Sequence, residues 1–255
     1  MQPELFPVHR RARVVTSALM LCALLVSFVS FAPVPLAHAA STPIYVKPGG
    51  TGNGSSWAQA NDLAAALSAA TTGDELWVAT GTYTPTVLTT ADPRSATFTL
   101  TDSVAIYGGF AGLSTETLAT RDWATNVVTL SGDIGTVGNV TDNSYHVVTG
   151  ATGATLDGVT ISGGNADDPT GSCPGTTCGG GVYNNNSSPT LSNVIISGNS
   201  ALSGGGGVYN NNSSPTLTNV TISGNTAASN GGGMSNHTSS PTLTNVTISG
   251  NTATL

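Results

Sequence analysis

The side chains that could perform acid–base chemistry are concentrated in the first 178 residues. Beyond the N-terminus, those closest to the later repeats are Asp133, Asp142, Asp157, Asp167, Asp168, Arg94, Arg121 and His146. Cleavage of a polysaccharide requires a pair of carboxylates, or carboxylate-bound calcium with a basic residue that accepts a proton. These residues are therefore the candidates for a catalytic site, and the segment 126–178 is where such a site would lie.

The stretch from Gly179 to Leu255 contains no Asp, Glu, Lys or Arg. Its histidine, His237, is interpreted as a substitute for a repeated asparagine. Tyr209 stands where a calcium-binding β-roll would have aspartate, so a calcium array is not expected. Because scattered aspartates are more often turn residues than a site, we expect no enzymatic activity, no cofactor and no metal. A polysaccharide lyase- or glycosidase-like site in 126–178 is the alternative.

The chain has three cysteines, Cys22, Cys173 and Cys178. The last two are separated by a segment with a Pro-Gly turn signal, which could bring their sulfur atoms together. In an oxidising compartment this pair is expected to form a disulfide. Free thiols, or a metal site shared with Asp167 and Asp168, are the alternatives.

The N-terminus is typical of a secretory signal peptide. A basic segment, His9–Arg13, precedes the apolar run Val14–Phe31, and the small residues of Ala37–Ala39 follow. We expect residues 1–39 to be removed by cleavage between Ala39 and Ala40. An uncleaved membrane anchor is the alternative, since the apolar run could just span a bilayer.

The last third of the chain repeats with a period of 26 residues. Gly179–Asn184 recurs as Gly205–Asn210 and again as Gly231–Asn236. An invariant period with β-branched residues and glycine, and without helical spacing, predicts a β-solenoid. We expect three short strands per coil, with Val208, Leu217 and their counterparts pointing inward. Two sets of repeated asparagines are expected to form structural ladders across the coils: Asn193, Asn219 and Asn245, and Asn199, Asn225 and Asn251.

The domain organisation follows from where the repeat becomes recognisable. Residues 40–125 are interpreted as an N-terminal cap with the first irregular coils, including a helix over Leu63–Ala70 that shields the first strand edges. Residues 126–255 are interpreted as the repeat region. The step from Thr155 to Thr190 is one coil plus nine residues, which predicts a protruding loop between Asn165 and Cys178. The chain stops about two residues before the next glycine triplet, so we expect a fragment of a longer product.

The composition restricts the partners. Charged residues are 7% of the chain and the net charge is −7; only Lys47, Arg94 and Arg121 are basic beyond residue 40. Without a basic patch, nucleic acid is not an expected partner. Ser, Thr, Asn, Tyr183 and Tyr209 could hydrogen-bond or stack on sugars, so extracellular glycans or surface proteins are the expected partners. Membrane contact is expected only through the signal segment or a missing C-terminal anchor.

The repeated tetrapeptides resemble those of a known family. Gly180–Val182 and Ile196–Asn199, with their counterparts one and two periods later, are similar to the repeats of polymorphic outer-membrane proteins. The segment from Tyr45 to Tyr83 resembles secreted bacterial proteins with the pectate-lyase-like fold. This resemblance implies an all-β, right-handed, single-stranded parallel β-helix with a short N-terminal capping helix. It further implies export, to the outer membrane if a longer parent is anchored there. The long, neutral, hydroxyl- and amide-rich face of the repeats predicts a structural or adhesive function for this secreted or cell-surface protein.

Overall fold

The computed structural model describes residues 42–254. The expected signal peptide and its cleavage position between Ala39 and Ala40 lie outside these residues. The described chain forms a right-handed parallel β-solenoid of about seven turns. Within it, no helix is both long enough and apolar enough to cross a membrane.

Residues 42–254 contain one α-helix and twenty-two short strands. Helix α1 spans Leu63–Ala69. The strands are β1 Ile44–Val46, β2 Glu75–Ala79, β3 Gly81–Tyr83, β4 Phe98–Thr99, β5 Ala105–Phe110, β6 Val128–Ser131, β7 Val148–Thr149, β8 Thr155–Asp157, β9 Thr160–Ser162, β10 Asn165–Ala166, β11 Val182–Asn185, β12 Thr190–Ser192, β13 Ile195–Ser197, β14 Ser200–Ala201, β15 Val208–Asn211, β16 Thr216–Thr218, β17 Thr221–Ser223, β18 Thr226–Ala227, β19 Met234–His237, β20 Thr242–Thr244, β21 Thr247–Ser249 and β22 Thr252–Ala253. Short 3-10 helices occur at Trp57–Gln59, Pro93–Ser95 and Val140–Asp142.

Parallel pairing stacks these strands into four sheets, one on each face of the coil. The sheets contain seven strands (β1-β2-β5-β8-β12-β16-β20), six (β3-β6-β9-β13-β17-β21), five (β4-β7-β11-β15-β19) and four (β10-β14-β18-β22). The expectation of three strands per coil is therefore wrong, because each regular coil contributes four strands. The additional strand is the two-residue segment after Asn199, Asn225 or Asn251, which is too short to show an alternating pattern.

The interior is built from columns of apolar side chains, one column for each of the three longer sheets. In the seven-stranded sheet, Leu191 pairs with Leu156 and Leu217. In the six-stranded sheet, Ile196 pairs with Ile161 and Ile222. All six side chains are fully buried. Each contributes about 1.5–3 kcal/mol through removal of apolar surface from water, so the columns provide the main cohesion between coils.

Helix α1 takes the place of a strand near the start of the solenoid. Asp62 caps it by accepting a 2.9 Å hydrogen bond from the Ala64 N–H, and the chain becomes extended at Ala70. The buried face of the helix, which includes Leu63 and Leu67, joins the main core. The helix packs against β1 and against β4, the outermost strand of the five-stranded sheet. It thus covers strand edges that would otherwise be open.

The protruding loop occupies the position that the 35-residue step predicts. Thr190 pairs with Thr155, so the register is kept although nine additional residues intervene. The additional residues lie in an irregular segment between β10 and the first repeated glycine, Gly179, which we call the stapled loop (167–178). It lies beside the five-stranded sheet, whose outer surface it partly covers.

Candidate functional site

The aspartates that could have formed a catalytic group are mostly engaged locally. Asp133 accepts hydrogen bonds from the Gly138 N–H at 3.0 and 3.1 Å. Asp142 accepts one from the Thr136 N–H at 3.0 Å. Asp157 forms an ion pair with Arg121. Within residues 42–254, no group of three or more His, Cys, Asp or Glu side chains is arranged to hold a metal ion.

Two covalent and ionic links hold the stapled loop in place. Cys173 and Cys178 form a disulfide, with their Cα atoms 5.6 Å apart. Arg94, from an earlier coil, forms an ion pair with Asp167 and donates a 2.7 Å hydrogen bond to the Asn165 carbonyl. Asp167, at the start of the loop, is therefore tied to the solenoid wall. The disulfide links Cys173 to Cys178, which is fully buried and pairs with Gly204 of the next coil.

A second set of contacts orders the loop internally through Asp168. One carboxylate oxygen accepts hydrogen bonds from the N–H and hydroxyl groups of Thr170, and the other accepts from the hydroxyl of Thr176 at 2.9 Å. These hydrogen bonds lower the pKa of Asp168. Asp168 is thus an ionised residue that shapes the loop and also faces a neighbouring hollow.

Three aromatic rings stack on the outer surface of the five-stranded sheet. His146 lies 4.5 Å from Tyr183, and Tyr183 lies 6.1 Å from Tyr209, between ring centroids. Tyr209 is only 5% exposed. The two tyrosines, which the sequence offers as rings that could stack on sugars, present little free ring surface. Tyr209 is buried, and Tyr183 lies between two other rings.

A polar hollow of about 490 Å³ lies at the Cys173 end of the stapled loop. We call it the loop hollow; its lining consists of Cys173, Pro174, Ser203, Gly204, Tyr209, Asn230, Ser235, Asn236 and His237. It contains hydroxyl, amide and imidazole groups and no carboxylate or cationic side chain of Lys or Arg. Ser235 pairs with Tyr209, so the hollow occupies the place where a third stacked tyrosine would extend the ring column.

A different hollow lies on the other side of the stapled loop. This acidic hollow has a volume of about 320 Å³ and is lined by Thr89, Thr90, Asp92, Ser95, Tyr145, His146, Asp168 and Thr176. The Tyr145 hydroxyl donates a 2.9 Å hydrogen bond to Asp92. Burial, and then this hydrogen bond, raise the pKa of Tyr145 to about 12. Burial lowers the pKa of His146 to about 4, so its imidazole is neutral at pH 7.

The two repeated asparagine sets differ in location. Asn199, Asn225 and Asn251 turn inward: the Asn199 side chain donates a 3.0 Å hydrogen bond to the Asn225 side chain, which donates in turn to Asn251. Asn199 and Asn225 are buried. Asn193, Asn219 and Asn245 instead occupy left-handed turns, with φ between +52° and +55°, and their side-chain amides form an outer row.

The residues that sequence reasoning missed are those contributed by loops of earlier coils. Asp92 and Tyr145 are 53 positions apart in sequence and hydrogen-bond to each other beside the stapled loop, and no repeat relates them. Trp123 and Ile195 line a further hollow on the six-stranded face. A sequence signal existed for Ile195, which replaces the threonine found at the same position of the two later repeats. His237 pairs with Asn211 and so occupies the position of a repeated asparagine, in agreement with its interpretation as an asparagine substitute.

Comparison of the chain with known protein families, with curated proteins and with solved structures finds no match.

Proposed function

We propose that this chain is a secreted or cell-surface β-helix protein of structural or adhesive function that binds neutral glycans. The observation that carries the proposal is the loop hollow, whose lining offers hydroxyl, amide and imidazole groups without a charged side chain. Sugars are bound through such groups, which hydrogen-bond ring hydroxyls, together with aromatic surfaces. The repeats that adjoin the hollow are uncharged as well.

The proposal also includes a family assignment within the parallel β-helix proteins. The tetrapeptide pattern at Gly180–Val182 and Ile196–Asn199 supports kinship with polymorphic outer-membrane protein repeats on a pectate-lyase-like scaffold. The signal-like N-terminus, 1–39, supports export, and the disulfide between Cys173 and Cys178 suits an oxidising compartment. Under this proposal the solenoid is a rigid spacer that presents the stapled loop outside the cell.

The loop hollow gives a sharp test because the repeat itself supplies the blocking variant. In Ser235→Tyr, the third repeat acquires the tyrosine of the first two, and the new ring would extend the column and fill the hollow. The full chain would be screened on a glycan array. We expect retention of neutral glycans, and a loss of at least about tenfold in apparent affinity for Ser235→Tyr.

A variant in the exposed outer row, Asn245→Gly, provides the control. Glycine accepts the left-handed turn at this position (φ +55°), so Asn245→Gly should bind like the wild type. If the wild type retained no glycan, the proposed function would be wrong. If it bound glycans and Ser235→Tyr bound equally well, the loop hollow would not be the site.

A polysaccharide lyase- or glycosidase-like activity is a second candidate, and the acidic hollow is the observation that favours it. Asp92, Asp168 and the neutral imidazole of His146 line the same space, which is the minimum for acid–base chemistry. The test is production of unsaturated or reducing ends from acidic polysaccharides by the wild type and by Asp92→Asn and Asp168→Asn. Asp157 and Asp167 make poor test positions because both form ion pairs.

A further inference from the structure

Trp123 is held with its ring open to solvent on the outside of the solenoid. It lies in the segment 111–127 that connects β5 to β6, and it is 43% exposed, whereas Trp57 is 9% exposed. Trp77 is partly buried in a cluster with Trp57 and Phe110. Since an indole is normally among the most buried side chains, the exposure of Trp123 needs a physical reason.

The backbone around Trp123 is fixed by buried ionic contacts. Arg121 forms an ion pair with Asp157 at 2.9 Å, and their side chains are only 10% and 15% exposed. Arg121 also donates a 2.7 Å hydrogen bond to the Gly108 carbonyl. One residue further, the Asp122 N–H donates to the Gly109 carbonyl at 2.8 Å. Trp123 is therefore positioned by the two residues before it rather than by burial of its own ring.

Two glycines allow this segment to lie directly against the sheet. Gly109 and Gly158 both have positive φ, +98° and +76°. A Cβ at Gly109 would lie 2.7–2.9 Å from the backbone and Cβ of Trp123, and a Cβ at Gly158 would lie 2.9 Å from its Cβ. Any larger residue would displace the tryptophan. The site is thus preorganised, which lowers the entropy cost of binding a ligand.

The surface beside Trp123 departs from the repeat in one residue. Along the outside of the six-stranded sheet, the paired positions are Thr82, Thr129, Thr160, Ile195, Thr221 and Thr247. The isoleucine is 43% exposed, so it contributes little to the core, and its neighbours show that threonine suits the same strand position. Ile195 adjoins Trp123 and Val127 in a hollow of about 260 Å³.

Polar groups border this apolar patch. Asn193 and Thr160 line the same hollow. The Asn193 side chain donates a 2.8 Å hydrogen bond to Asp157 and accepts one from Asn219 at 3.2 Å. The outer asparagine row therefore begins at the ion pair that positions Trp123, and it runs from there along the solenoid axis.

We propose that Trp123, Val127 and Ile195 form a stacking subsite for a pyranose unit of a neutral glycan, with Asn193 and Thr160 binding its hydroxyls. This inference rests on the proposed glycan binding and adds a second site, which shares no lining residue with the loop hollow. A pyranose has an apolar C–H face and a polar rim, which matches an exposed indole bordered by amide and hydroxyl groups. The patch of three side chains is small against the roughly 800 Å² per partner of a stable protein interface.

The test measures binding of the full chain to cellohexaose, xylohexaose, mannohexaose and laminarihexaose by isothermal titration calorimetry, which does not depend on Trp123 as a reporter. We expect at least one of these oligosaccharides to bind. In Trp123→Ala the dissociation constant should rise at least about tenfold, and in Trp123→Phe, which keeps an aromatic face, only about threefold. Ile195→Thr, which restores the repeat, should weaken binding about three- to fivefold while leaving thermal unfolding nearly unchanged.

Leu113→Ala is the matched control, because Leu113 is 59% exposed on the same connecting segment and lies outside the hollow. Wild-type affinity in Trp123→Ala would overturn the subsite but leave glycan binding at the loop hollow intact. Binding of none of the four oligosaccharides would also overturn it, and the glycan array then decides the proposed function separately. If Trp123 became less accessible to acrylamide as the protein concentration rose in the absence of sugar, the patch would be a contact between protein molecules. That result would also overturn the proposal.

Discussion

The regular coils from Gly179 onward and the irregular coils before them are held together by different interactions. The regular coils use backbone pairing, apolar columns and buried asparagines, and they contain no charged residue. Both ion pairs in the described chain involve earlier residues, Arg94 with Asp167 and Arg121 with Asp157. In each, an arginine fixes an irregular loop. Uniform coils therefore supply length and rigidity, and individual features arise where the repeat is broken.

The largest effect is expected in the interior of the regular coils. The Asn225 side chain accepts from the Asn199 N–H and donates to the carbonyls of Ile196 and Ser223. Asn225→Ala would leave these buried groups without partners and should lower the free energy of unfolding by about 3–4 kcal/mol. Chemical denaturation measures this. Asn245→Gly, in the exposed row, should cost less than about 1 kcal/mol. Equal losses would contradict the distinction between inner and outer asparagines.

The acidic hollow should make the irregular coils sensitive to pH. The pKa of His146 is about 4 in the folded chain against about 6.5 when unfolded. The stability due to the neutral imidazole is complete above pH 6.5 and is lost as the pH falls from 6.5 to 4. The loss is about 2–3 kcal/mol. Denaturation of wild type and His146→Asn at both ends of this range measures it. A pH dependence that is the same in the variant would contradict this account.

Removal of the disulfide should loosen the stapled loop more than the coils beneath it. Closing a loop of this length between Cys173 and Cys178 contributes about 2 kcal/mol in the chain-entropy model. In Cys173→Ser/Cys178→Ser we expect a corresponding loss of stability and greater exposure of Tyr209. Hydrogen exchange should rise in 167–178 and stay low in β16 and β17. Uniform acceleration in all coils would show that the loop supports the whole solenoid.

The smallest effect is expected at Asp62, the N-cap residue of helix α1. Asp62→Ala removes the hydrogen bond to the Ala64 N–H and should cost about 1 kcal/mol. Asp62→Asn retains an acceptor at the cap and should be nearly neutral. Thermal unfolding compares the two. A loss in Asp62→Asn as large as in Asp62→Ala would mean that the cap acts by charge rather than by its hydrogen bond.

Much of the fold could be predicted from the sequence because each regular coil repeats the same pattern of apolar residues, asparagines and glycines. The period aligns Leu191 with Leu217 and Ile196 with Ile222, and the 35-residue step places Thr190 beside Thr155. The period could not distinguish the two asparagine sets. Both sets recur every 26 residues, so the sequence aligns both across the coils. Whether a side chain points inward or outward depends on the backbone, which forms a left-handed turn at Asn193, Asn219 and Asn245.

The candidate sites were harder to predict because they form between coils and not within a repeat. Asp92 reaches Tyr145, and Arg121 reaches Asp157, only after irregular segments have folded back onto the solenoid. The burial of Tyr209 beneath the stapled loop could not be inferred from its repeated motif. Ile195 illustrates the sequence signal that such a site can give. It is a single departure from a strict repeat, at a position where the fold accepts threonine.

The central claim is that a rigid solenoid with uncharged regular coils binds neutral glycans at positions where its repeat is interrupted. The most direct test is retention of the full chain on a glycan array at low and at high salt. The account predicts retention of neutral glycans that salt does not weaken, because the loop hollow contains no charged side chain. Absence of retention, or retention only of charged glycans that salt abolishes, would contradict it.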